Sequence, residues 1–458
     1  MIEFTDSLTR TKRPFEPIRD GEVSIYWCGP TVYDDPHLGH ARSALGFDIL
    51  TRYLRWRGFE VTLVRNVTDI DDNIIARAAQ RGLSETEISQ IYEAAYLTEM
   101  DRLGIISPDH SPHATDYVDE MIKVIATLLD RNMAYVVEGS GVYFDVSALD
   151  AYGALVNRDP DELRESAGAR VALDDDKADP LDFALWKAAK PDEPTWDSPW
   201  GPGRPGWHIE CVSMSVNLLG PHFDIHGGGD DLTFPHHENE RAEALGAGQP
   251  FANYWIHNAM VQVEGEKMSK SLGNFTTLAE MLDAYDPRAF RLLVLQTHYR
   301  RTMEINASAL DPAVTAIERL DTFARRARLA GFDGSGIARH EPSVDAFRNA
   351  MDDDLSTPAA IAVIFDTVRL ANAALDADDP TAEALCNTVI ELSAALGLVL
   401  DGADGAVDDD ADTIDDLIAQ RSTAREQRDF AGADRIRDEL SAMGVTIEDG
   451  AMGTTWHR

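Results

Sequence analysis

Two short motifs far apart in the chain carry residues suited to phosphate chemistry. The histidine motif, His37-Leu38-Gly39-His40, follows an apolar segment, and the lysine motif, Lys267-Met268-Ser269-Lys270-Ser271, lies between two glycines. Imidazole and ammonium donors can stabilise the charge that develops on transferred phosphates. Each motif alone has a simpler interpretation. The histidine motif could be a turn with two surface histidines, and the lysine motif could be a solvated charged loop. Together they predict a site that activates a nucleotide.

The predicted nucleotide site lies where a strand passes into a helix. Residues 23–28 form a short apolar run, residues 41–56 have apolar side chains at helical spacing, and residues 60–65 form a second apolar run. This order predicts a βαβ unit of a parallel sheet, whose ligands lie at the carboxyl ends of the strands. The helix N-terminus favours phosphate, and Gly39 leaves room for a flat base. We therefore predict His37 and His40 as catalytic donors to ATP.

A candidate metal site combines residues from two distant parts of the chain. His236 and Glu240 are four residues apart, so on a helix they share one face. Cys28 ends the first predicted strand, and Cys211 lies on a later predicted helix. Cysteine, histidine and carboxylate are the ligands of zinc. The spacing leaves two alternatives open, because Cys28 could be a buried strand cysteine and His237 competes with His236.

The cysteine count and the hydropathy pattern indicate the compartment. Three cysteines cannot form a disulfide framework, so a reducing environment is expected, and Cys386 is assigned to an apolar helical core. No run of eighteen or more apolar residues occurs, and the first residues lack the pattern of a signal peptide. We expect a cytoplasmic protein with no membrane partner.

The charge of the chain is strongly acidic. The net charge is −39, from 80 acidic and 41 basic residues, and the basic residues are mostly arginine. Taken alone this argues against a nucleic-acid partner, because phosphate neutralisation needs Lys and Arg. The same composition resembles that of proteins from salt-loving organisms, in which molar salt screens self-repulsion. The overall charge therefore predicts a habitat, and local clusters must indicate partners.

The motifs resemble those of the cysteinyl-tRNA synthetases, a class I family. Longer blocks carry the resemblance as well, namely Cys28 to Asp34, Asn66 to Asp72, Arg204 to Cys211 and His226 to Glu240, and it extends from near Gly21 to the C-terminus. The resemblance implies that L-cysteine is activated with Mg²⁺-ATP to cysteinyl-adenylate and then transferred to the 3′ end of tRNA(Cys). A monomer is the expectation for the family.

The resemblance also implies roles for single residues. One zinc ion per chain would take the thiolate of the substrate, so that serine is rejected without an editing site, and its ligands would be Cys28, Cys211, His236 and Glu240. The cysteine pocket would be formed by Gly29, Thr68 and Trp207. The ATP contacts would be Gly39, His40, Asp231 and Lys270. Catalysis would come from charge stabilisation by His37, His40, Lys267 and Lys270.

The resemblance and the composition together predict the domain organisation. The predicted fold is α/β, with a Rossmann-like parallel-sheet catalytic domain that carries an insertion and is followed by α-helical C-terminal domains. Residues 85–131 are expected to be helical and residues 132–205 to be irregular. The predicted regions are the first catalytic half (1–131), the connective insertion (132–205), the second catalytic half with the zinc ligands (206–262), the lysine-motif loop with a stem-contact region (263–330), a helical bundle (331–404) and an anticodon-binding region (405–458).

The C-terminal region carries the candidate tRNA contacts. Two predicted helices within residues 414–440 hold a basic cluster, and Trp456 could stack on a base, which gives the contacts Arg421, Arg425, Arg428, Arg435 and Trp456. A simpler interpretation is ion pairing with acidic neighbours on the helix surface. Two other functions stay open. One is a cysteine-adenylating small-molecule ligase of the mycothiol type, and the other is a non-catalytic zinc-binding or tRNA-binding module.

Overall fold

The computed structural model describes residues 1–167, 177–191, 193–262, 277–400, 411–450 and 453–457. The chain divides into two compact units. The first comprises Met1–Asp311 with Ala350–Pro358, and the second comprises Pro312–Asn349 with Ala359–Arg458. Lys267 and Lys270 lie outside the described residues.

The first unit contains most of the secondary structure. Its strands are β1 (Glu3–Asp6), β2 (Thr11–Pro14), β3 (Glu22–Trp27), β4 (Glu60–Arg65), β5 (Ala134–Val137), β6 (Gly141–Phe144), β7 (Phe183–Ala188), β8 (Gly203–Pro205), β9 (His222–Gly229), β10 (Phe251–Asn258), β11 (Val261–Gln262) and β12 (Met303–Glu304). Its helices are α1 (Leu38–Trp56), α2 (Asp72–Arg81), α3 (Glu85–Arg102), α4 (Val118–Asp130), α5 (Pro160–Ala167), α6 (Trp207–Leu219), α7 (Glu238–Gly246), α8 (Leu278–Ala284) and α9 (Pro287–Leu295).

A four-stranded parallel sheet with the order β10-β9-β3-β4 positions the candidate site. The chain runs from β3 through α1 into β4, which confirms the predicted βαβ unit, although α1 begins earlier than expected. In the register of β3 and β9, Trp27 lies opposite Gly227. A Cβ atom at Gly227 would come within 2.4 Å of the Trp27 ring, so the sheet needs glycine there. Cys28 and the histidine motif follow at the carboxyl end of β3.

Two expectations about local structure are wrong. Residues 85–131 do not form one helical stretch, because α3 ends at Arg102 and α4 begins only at Val118. The insertion is not irregular, since β5, β6, β7 and β8 form an antiparallel four-stranded sheet. Strand β6 is buried along its whole length. The strands of this insertion sheet are short, and a register shift interrupts the pairing of β6 with β7, so their alternation is weak in the sequence.

The second unit is mainly helical. Its helices are α10 (Ala307–Leu329), α11 (Glu341–Asp352), α12 (Thr357–Asp376), α13 (Ala382–Ala395), α14 (Ala411–Glu426) and α15 (Phe430–Ala442), and they are followed by the strands β13 (Thr446–Gly450) and β14 (Gly453–His457). Ile414, Leu440 and Val445 form a small core among the last of these elements. Among the described residues, α12 is long and apolar enough to cross a membrane by length and composition alone, which is weak evidence because core helices of soluble proteins pass the same test; 44% of its apolar window is buried.

Candidate functional site

The two histidines of the histidine motif form the start of α1. His37 is the N-cap, and its Nδ1 accepts hydrogen bonds from the backbone N–H groups of Gly39 (3.1 Å) and His40 (3.3 Å). In return, His40 Nδ1 accepts from the backbone N–H of His37 at 3.2 Å. The two rings stack with their centroids 3.7 Å apart. The motif is therefore a reciprocal helix cap made of imidazoles.

These hydrogen bonds define the protonation of both rings. Burial lowers the pKa of His40 to about 3, and burial also lowers the pKa of His37, although Asp231 acts in the opposite direction. Both imidazoles are therefore neutral at pH 7. Because each Nδ1 accepts from a backbone N–H, the single ring proton lies on Nε2. Each ring thus keeps one N–H donor for a ligand.

The histidine motif lines a cavity of about 510 Å³ at the carboxyl ends of the central strands. The predicted site residues on its wall are Cys28, Gly29, His37, Gly39, His40, Trp207 and Asp231. Two glycines are needed by the geometry. A Cβ atom at Gly29 would lie 1.7 Å from the backbone oxygen of Asn66, and one at Gly39 would lie 2.9 Å from the His37 ring.

The predicted pocket residue Thr68 does not line that wall. Thr68 is not among the residues described as lining the cavity, and its buried hydroxyl donates to Glu210 at 3.0 Å and accepts from Asn66 at 3.2 Å. Lys270, predicted as an ATP contact, lies outside the described residues, as does Lys267. The chain enters that segment after β11 and leaves it before α8, and β11 begins at Val261 on the cavity wall.

The structure brings together the four candidate metal ligands, which are Cys28, Cys211, His236 and Glu240. Cys28 follows β3, Cys211 lies on α6, and Glu240 lies on α7. All four side chains are buried, and their ligand atoms lie within 4.8 Å of one another. Three of the four come from separate elements, so the cluster depends on the packing of α6 and α7 against the sheet.

Three separations within this cluster match the edges of a tetrahedral zinc site, whereas His236 Nε2 and Glu240 Oε1, 3.1 Å apart, are slightly closer than such an edge. With Zn–S bonds of about 2.3 Å, Zn–N of about 2.0 Å and Zn–O of about 2.1 Å, tetrahedral edges measure about 3.8 Å for S–S, about 3.5 Å for S–N and about 3.6 Å for S–O. The observed distances are 3.8 Å from Cys28 Sγ to Cys211 Sγ, 3.5 Å from Cys211 Sγ to His236 Nε2 and 3.6 Å from Cys28 Sγ to Glu240 Oε1. The residues therefore fit the metal.

An alternative set of Cys28, His226, His237 and Glu240 also lies within 4.8 Å. In that set His226 Nε2 is 2.7 Å from Glu240 Oε2, which is a hydrogen-bond distance and too short for the edge of a metal tetrahedron. His237 lies in the same layer, with Nε2 at 3.3 Å from Cys28 Sγ. The 2.7 Å contact makes His226 a hydrogen-bond partner of Glu240, and His237 stays the alternative to His236 as a ligand.

A layer of histidines supports the cluster from behind, and sequence reasoning missed it. His208 Nδ1 is 2.9 Å from His236 Nδ1, and His237 Nδ1 is 2.7 Å from His257 Nε2. Such partners orient ligands and tune their basicity. The adjacent pair His236-His237 was a signal for the layer. His208 and His257 lie on α6 and β10 and carried no such signal.

Burial controls the protonation of the cluster itself. Desolvation raises the pKa of Cys28 well above its ordinary value and raises that of Cys211 to about 11. It also raises the pKa of the Glu240 carboxyl and lowers that of the His236 imidazole. The thiols are thus protonated at neutral pH in the free protein. A metal that enters must displace their protons, so its affinity rises with pH.

The predicted tRNA contacts are placed differently from one another. Arg421 is buried, with 7% of its surface exposed, and its role as a tRNA contact stays a prediction. Arg425, Arg428 and Arg435 are exposed. Trp456 lies on β14, where it pairs with Ile447 on β13.

Three family models match successive parts of the chain. Residues 14–315 match the catalytic domain of class I (C) tRNA synthetases, residues 346–401 match the DALR domain, and residues 408–456 match the anticodon-binding domain of cysteinyl-tRNA ligases.

Curated relatives match over the full length. The chain is 47% identical to the cysteine–tRNA ligase of Alkalilimnicola ehrlichii and 48% identical to that of Thioalkalivibrio sulfidiphilus, with 100% of each chain covered in both cases. Among solved structures, the methionyl-tRNA synthetase of Mycobacterium tuberculosis in complex with methionyl-adenylate matches at a TM-score of 0.59 with 16% identity, covering 90% of this chain and 96% of that one. At that identity the likeness concerns the fold alone.

Proposed function

Because the chain belongs to the cysteine–tRNA ligases, we propose that it selects its amino acid through a zinc ion bound by Cys28, Cys211, His236 and Glu240. The reaction has two steps. The carboxylate of L-cysteine attacks the α-phosphate of Mg²⁺-ATP, which forms cysteinyl-adenylate and releases pyrophosphate. The terminal ribose hydroxyl of tRNA(Cys) then attacks the adenylate and releases AMP.

The observation that carries the proposal is the set of distances in the four-residue cluster. Two buried sulfurs 3.8 Å apart, with an imidazole and a carboxylate at matching distances, fit one zinc ion per chain. Zinc bound there would supply a soft Lewis acid that takes a thiolate far more readily than an alcohol. Cys28 lies on the wall of the same cavity as the histidine motif, which supports a common site for the amino acid and the nucleotide.

The chain's own residues hold the two substrates. The neutral rings of His37 and His40 present their Nε2–H groups as donors to the phosphates of ATP, beside the N-terminus of α1. Asp231, which lines the same cavity, is the candidate contact for the ribose or the amino group. Trp207 stacks on His236 with the ring centroids 4.0 Å apart. It can therefore line the cysteine pocket and also orient His236, a candidate metal ligand. Thr68 supports the cysteine pocket indirectly, through its hydrogen bond to Glu210.

The lysine motif completes the activation site. We assign Lys267 and Lys270 to the charge that develops on the leaving pyrophosphate. Such donors act mainly in the transition state, so they raise turnover more than they raise substrate affinity.

Glu240 would be the ligand of a bound zinc that a thiolate could displace most easily. It is a hard oxygen ligand beside two soft sulfurs. His226 Nε2 lies 2.7 Å from Glu240 Oε2, so the carboxylate has a hydrogen-bond partner besides the metal. Leaving a buried carboxylate without one would be costly.

The C-terminal part of the chain supports tRNA over a small-molecule acceptor. Its match to an anticodon-binding domain disfavours the mycothiol-type ligase, which lacks such a region. Arg425, Arg428 and Arg435 are the exposed candidates for phosphate contacts. We expect a monomer in the reducing cytoplasm, where the three cysteines stay free.

Two activity measurements test the proposed reaction. Cysteine-dependent exchange of pyrophosphate into ATP tests activation, and charging of tRNA(Cys) tests transfer. Exchange with serine in place of cysteine tests the selection. Equal exchange with both amino acids would exclude selection through a metal, and exchange without charging would favour the small-molecule ligase.

A pair of cysteine variants tests the metal assignment. Cys211→Ser should lower the zinc content, measured by mass spectrometry of the purified protein, and raise KM for cysteine much more than KM for ATP. Cys386→Ser is the matched control, because Cys386 is equally buried but lies on α13 of the second unit. Retained zinc in Cys211→Ser, with equal damage to both KM values, would exclude Cys211 as a ligand.

A further inference from the structure

Arg42 is a buried arginine only two residues beyond the histidine motif. Its side chain is 2% exposed. Nε donates to the carbonyl oxygen of Ala259 at 3.1 Å, and Nη2 donates to that of Arg301 at 2.7 Å. Further acceptors are the carbonyl oxygens of His298 and Tyr299 and the sulfur of Met303. One guanidinium thus holds two segments of backbone, Ala259 and residues 298–301, and also contacts the Met303 side chain.

The partners of Arg42 are unusual for a buried cation. Within the part of the chain that the structure describes, Arg42 has no carboxylate in an ion pair, and its acceptors are four carbonyl oxygens and one thioether. Burial lowers the pKa of Arg42 to about 10, which still leaves it charged at neutral pH. A planar fork with five N–H groups can serve several carbonyls at once, whereas a lysine ammonium cannot reproduce this arrangement. The contact set therefore specifies arginine.

The backbone that Arg42 holds is the entry to the lysine-motif segment. Ala259 lies two residues before β11, and Val261 of β11 pairs with Met303 of β12. The amide of Ala259 also donates to the Tyr299 carbonyl at 2.8 Å, so both segments move together. Beyond β11 the chain continues to Lys267.

The exit from that segment is fastened to the same place. Leu278, the first residue of α8, donates its backbone N–H to the carbonyl oxygen of Pro36 at 3.1 Å. Pro36 directly precedes His37. The two stems of the lysine-motif segment are therefore both attached to the turn that carries the histidine motif, one through the Arg42 side chain and one through backbone.

We propose that Arg42 is a positioning residue for amino-acid activation, which sets the entry stem of the lysine motif against the histidine motif. The proposal rests on the proposed function, in which both motifs act on the same ATP. Arg42 borders the cavity, but its N–H groups are taken up by backbone carbonyls and the Met303 sulfur, so we infer that it acts through the stem that leads to Lys267 and Lys270. A displacement of about 1 Å in a catalytic group can lower a rate by about 100-fold.

The first test replaces the guanidinium of Arg42 by the ammonium of lysine. We expect Arg42→Lys to lower kcat for cysteine-dependent pyrophosphate exchange by about 10-fold to 100-fold, with KM for cysteine and the zinc content close to wild type. The matched control is Arg291→Lys. Arg291 is 1% exposed and also donates to two backbone carbonyls, those of Leu103 and Gly104, and it pairs with Asp48, so it fixes a different stretch of backbone. The control should lower the thermal stability without a comparable loss of kcat.

A double-mutant cycle decides whether Arg42 acts through the lysines. In a background with Lys267→Ala and Lys270→Ala, we expect Arg42→Lys to lower the residual kcat by less than about threefold, because the groups that it positions are gone. A full multiplication of the two losses would overturn the proposal, and so would an Arg42→Lys enzyme with wild-type kcat. If Arg42→Lys does not fold, the same cycle is run with Arg42→Gln.

The outcomes separate this proposal from the proposed function. Wild-type protein is assayed first, and an absence of cysteine-dependent exchange would refute the proposed function. Normal wild-type exchange together with an unaltered Arg42→Lys enzyme would refute only the role of Arg42. A large rise in KM for cysteine, or loss of zinc, in Arg42→Lys would also overturn the proposal, since it would show general damage to the cavity.

Discussion

Adding one methyl group at Gly29 should impair the activation of cysteine while leaving the rest of the chain folded. Gly29 follows the candidate ligand Cys28 and lies on the cavity wall. Its backbone N–H donates to Asn66 Oδ1 at 2.9 Å, so the two backbones pass close together. A Cβ atom at Gly29 would lie 1.7 Å from the backbone oxygen of Asn66 and 2.8 Å from its carbonyl carbon.

The size of the effect follows from that distance. Cβ atoms do not approach other atoms closer than 3.0 Å, so the methyl group of Gly29→Ala must retreat by about 1.3 Å. The atoms in its way are backbone and cannot rotate aside. Cys28 must move with its neighbour, and a shift of about 1 Å at a reacting group costs about 100-fold in rate. Overpacking of this kind destabilises a protein by about 1–3 kcal/mol.

The assay is cysteine-dependent pyrophosphate exchange together with zinc content and thermal unfolding. We expect kcat/KM for cysteine to fall by about 100-fold, with partial loss of zinc. Gly46→Ala is the matched control, because a Cβ atom at Gly46 in α1 meets nothing closer than 3.7 Å. The control should keep its activity and gain some stability from the helix propensity of alanine. A Gly29→Ala enzyme with wild-type kcat/KM and full zinc would refute the reasoning.

Three further outcomes are expected. Lys270→Ala should lower kcat for pyrophosphate exchange and leave the dissociation constant of cysteine, measured by calorimetry, unchanged; weaker cysteine binding with normal turnover would contradict the role of Lys270. Removal of residues from about 405 onward should abolish efficient tRNA charging and preserve pyrophosphate exchange, and unchanged charging would show that the tail does not bind tRNA. Because burial lowers the pKa of His40 to about 3, the unfolded chain binds a proton below about pH 6.5 that the folded chain does not, so the free energy of unfolding should fall as pH drops from about 6.5. In chemical denaturation at several pH values, His40→Asn should reduce the slope of this free energy against pH by the equivalent of up to one proton. An unchanged slope would contradict the buried neutral ring.

The central sheet and the metal cluster were accessible from the sequence for different reasons. The strands β3 and β4 and helix α1 show strong apolar periods, so their order could be predicted directly. The metal ligands could be named from residue type and family resemblance, but the distances among them could not. Cys28 and Cys211 meet only because β3 lies beside β9 and α6 packs nearby, which is a property of the tertiary fold.

The errors have a common physical origin. The strands of the insertion are short, and β8 contains Gly203 and Pro205, residues that weaken any prediction of a strand. The hydrogen bond from Thr68 to Glu210 joins residues that are far apart in sequence, and the site roles of Thr68 and Arg421 stay predictions. Local patterns carry no information about such contacts. For the same reason, His208 and His257 could not have been placed behind the metal ligands.

The reciprocal cap at the start of α1 has a consequence for how variants of the histidine motif should be read. In each imidazole Nδ1 closes the first turn of the helix, and Nε2 is left as a donor for a ligand of the cavity. Every substitution of His37 therefore changes both the helix cap and the contact with the nucleotide, unless the replacement keeps an atom that accepts the backbone hydrogen bonds. Asparagine and aspartate can still accept from the amides of Gly39 and His40, but they offer no ring N–H at the far side. Such replacements separate the part of the side chain that starts the helix from the part that handles the nucleotide, whereas alanine confounds the two.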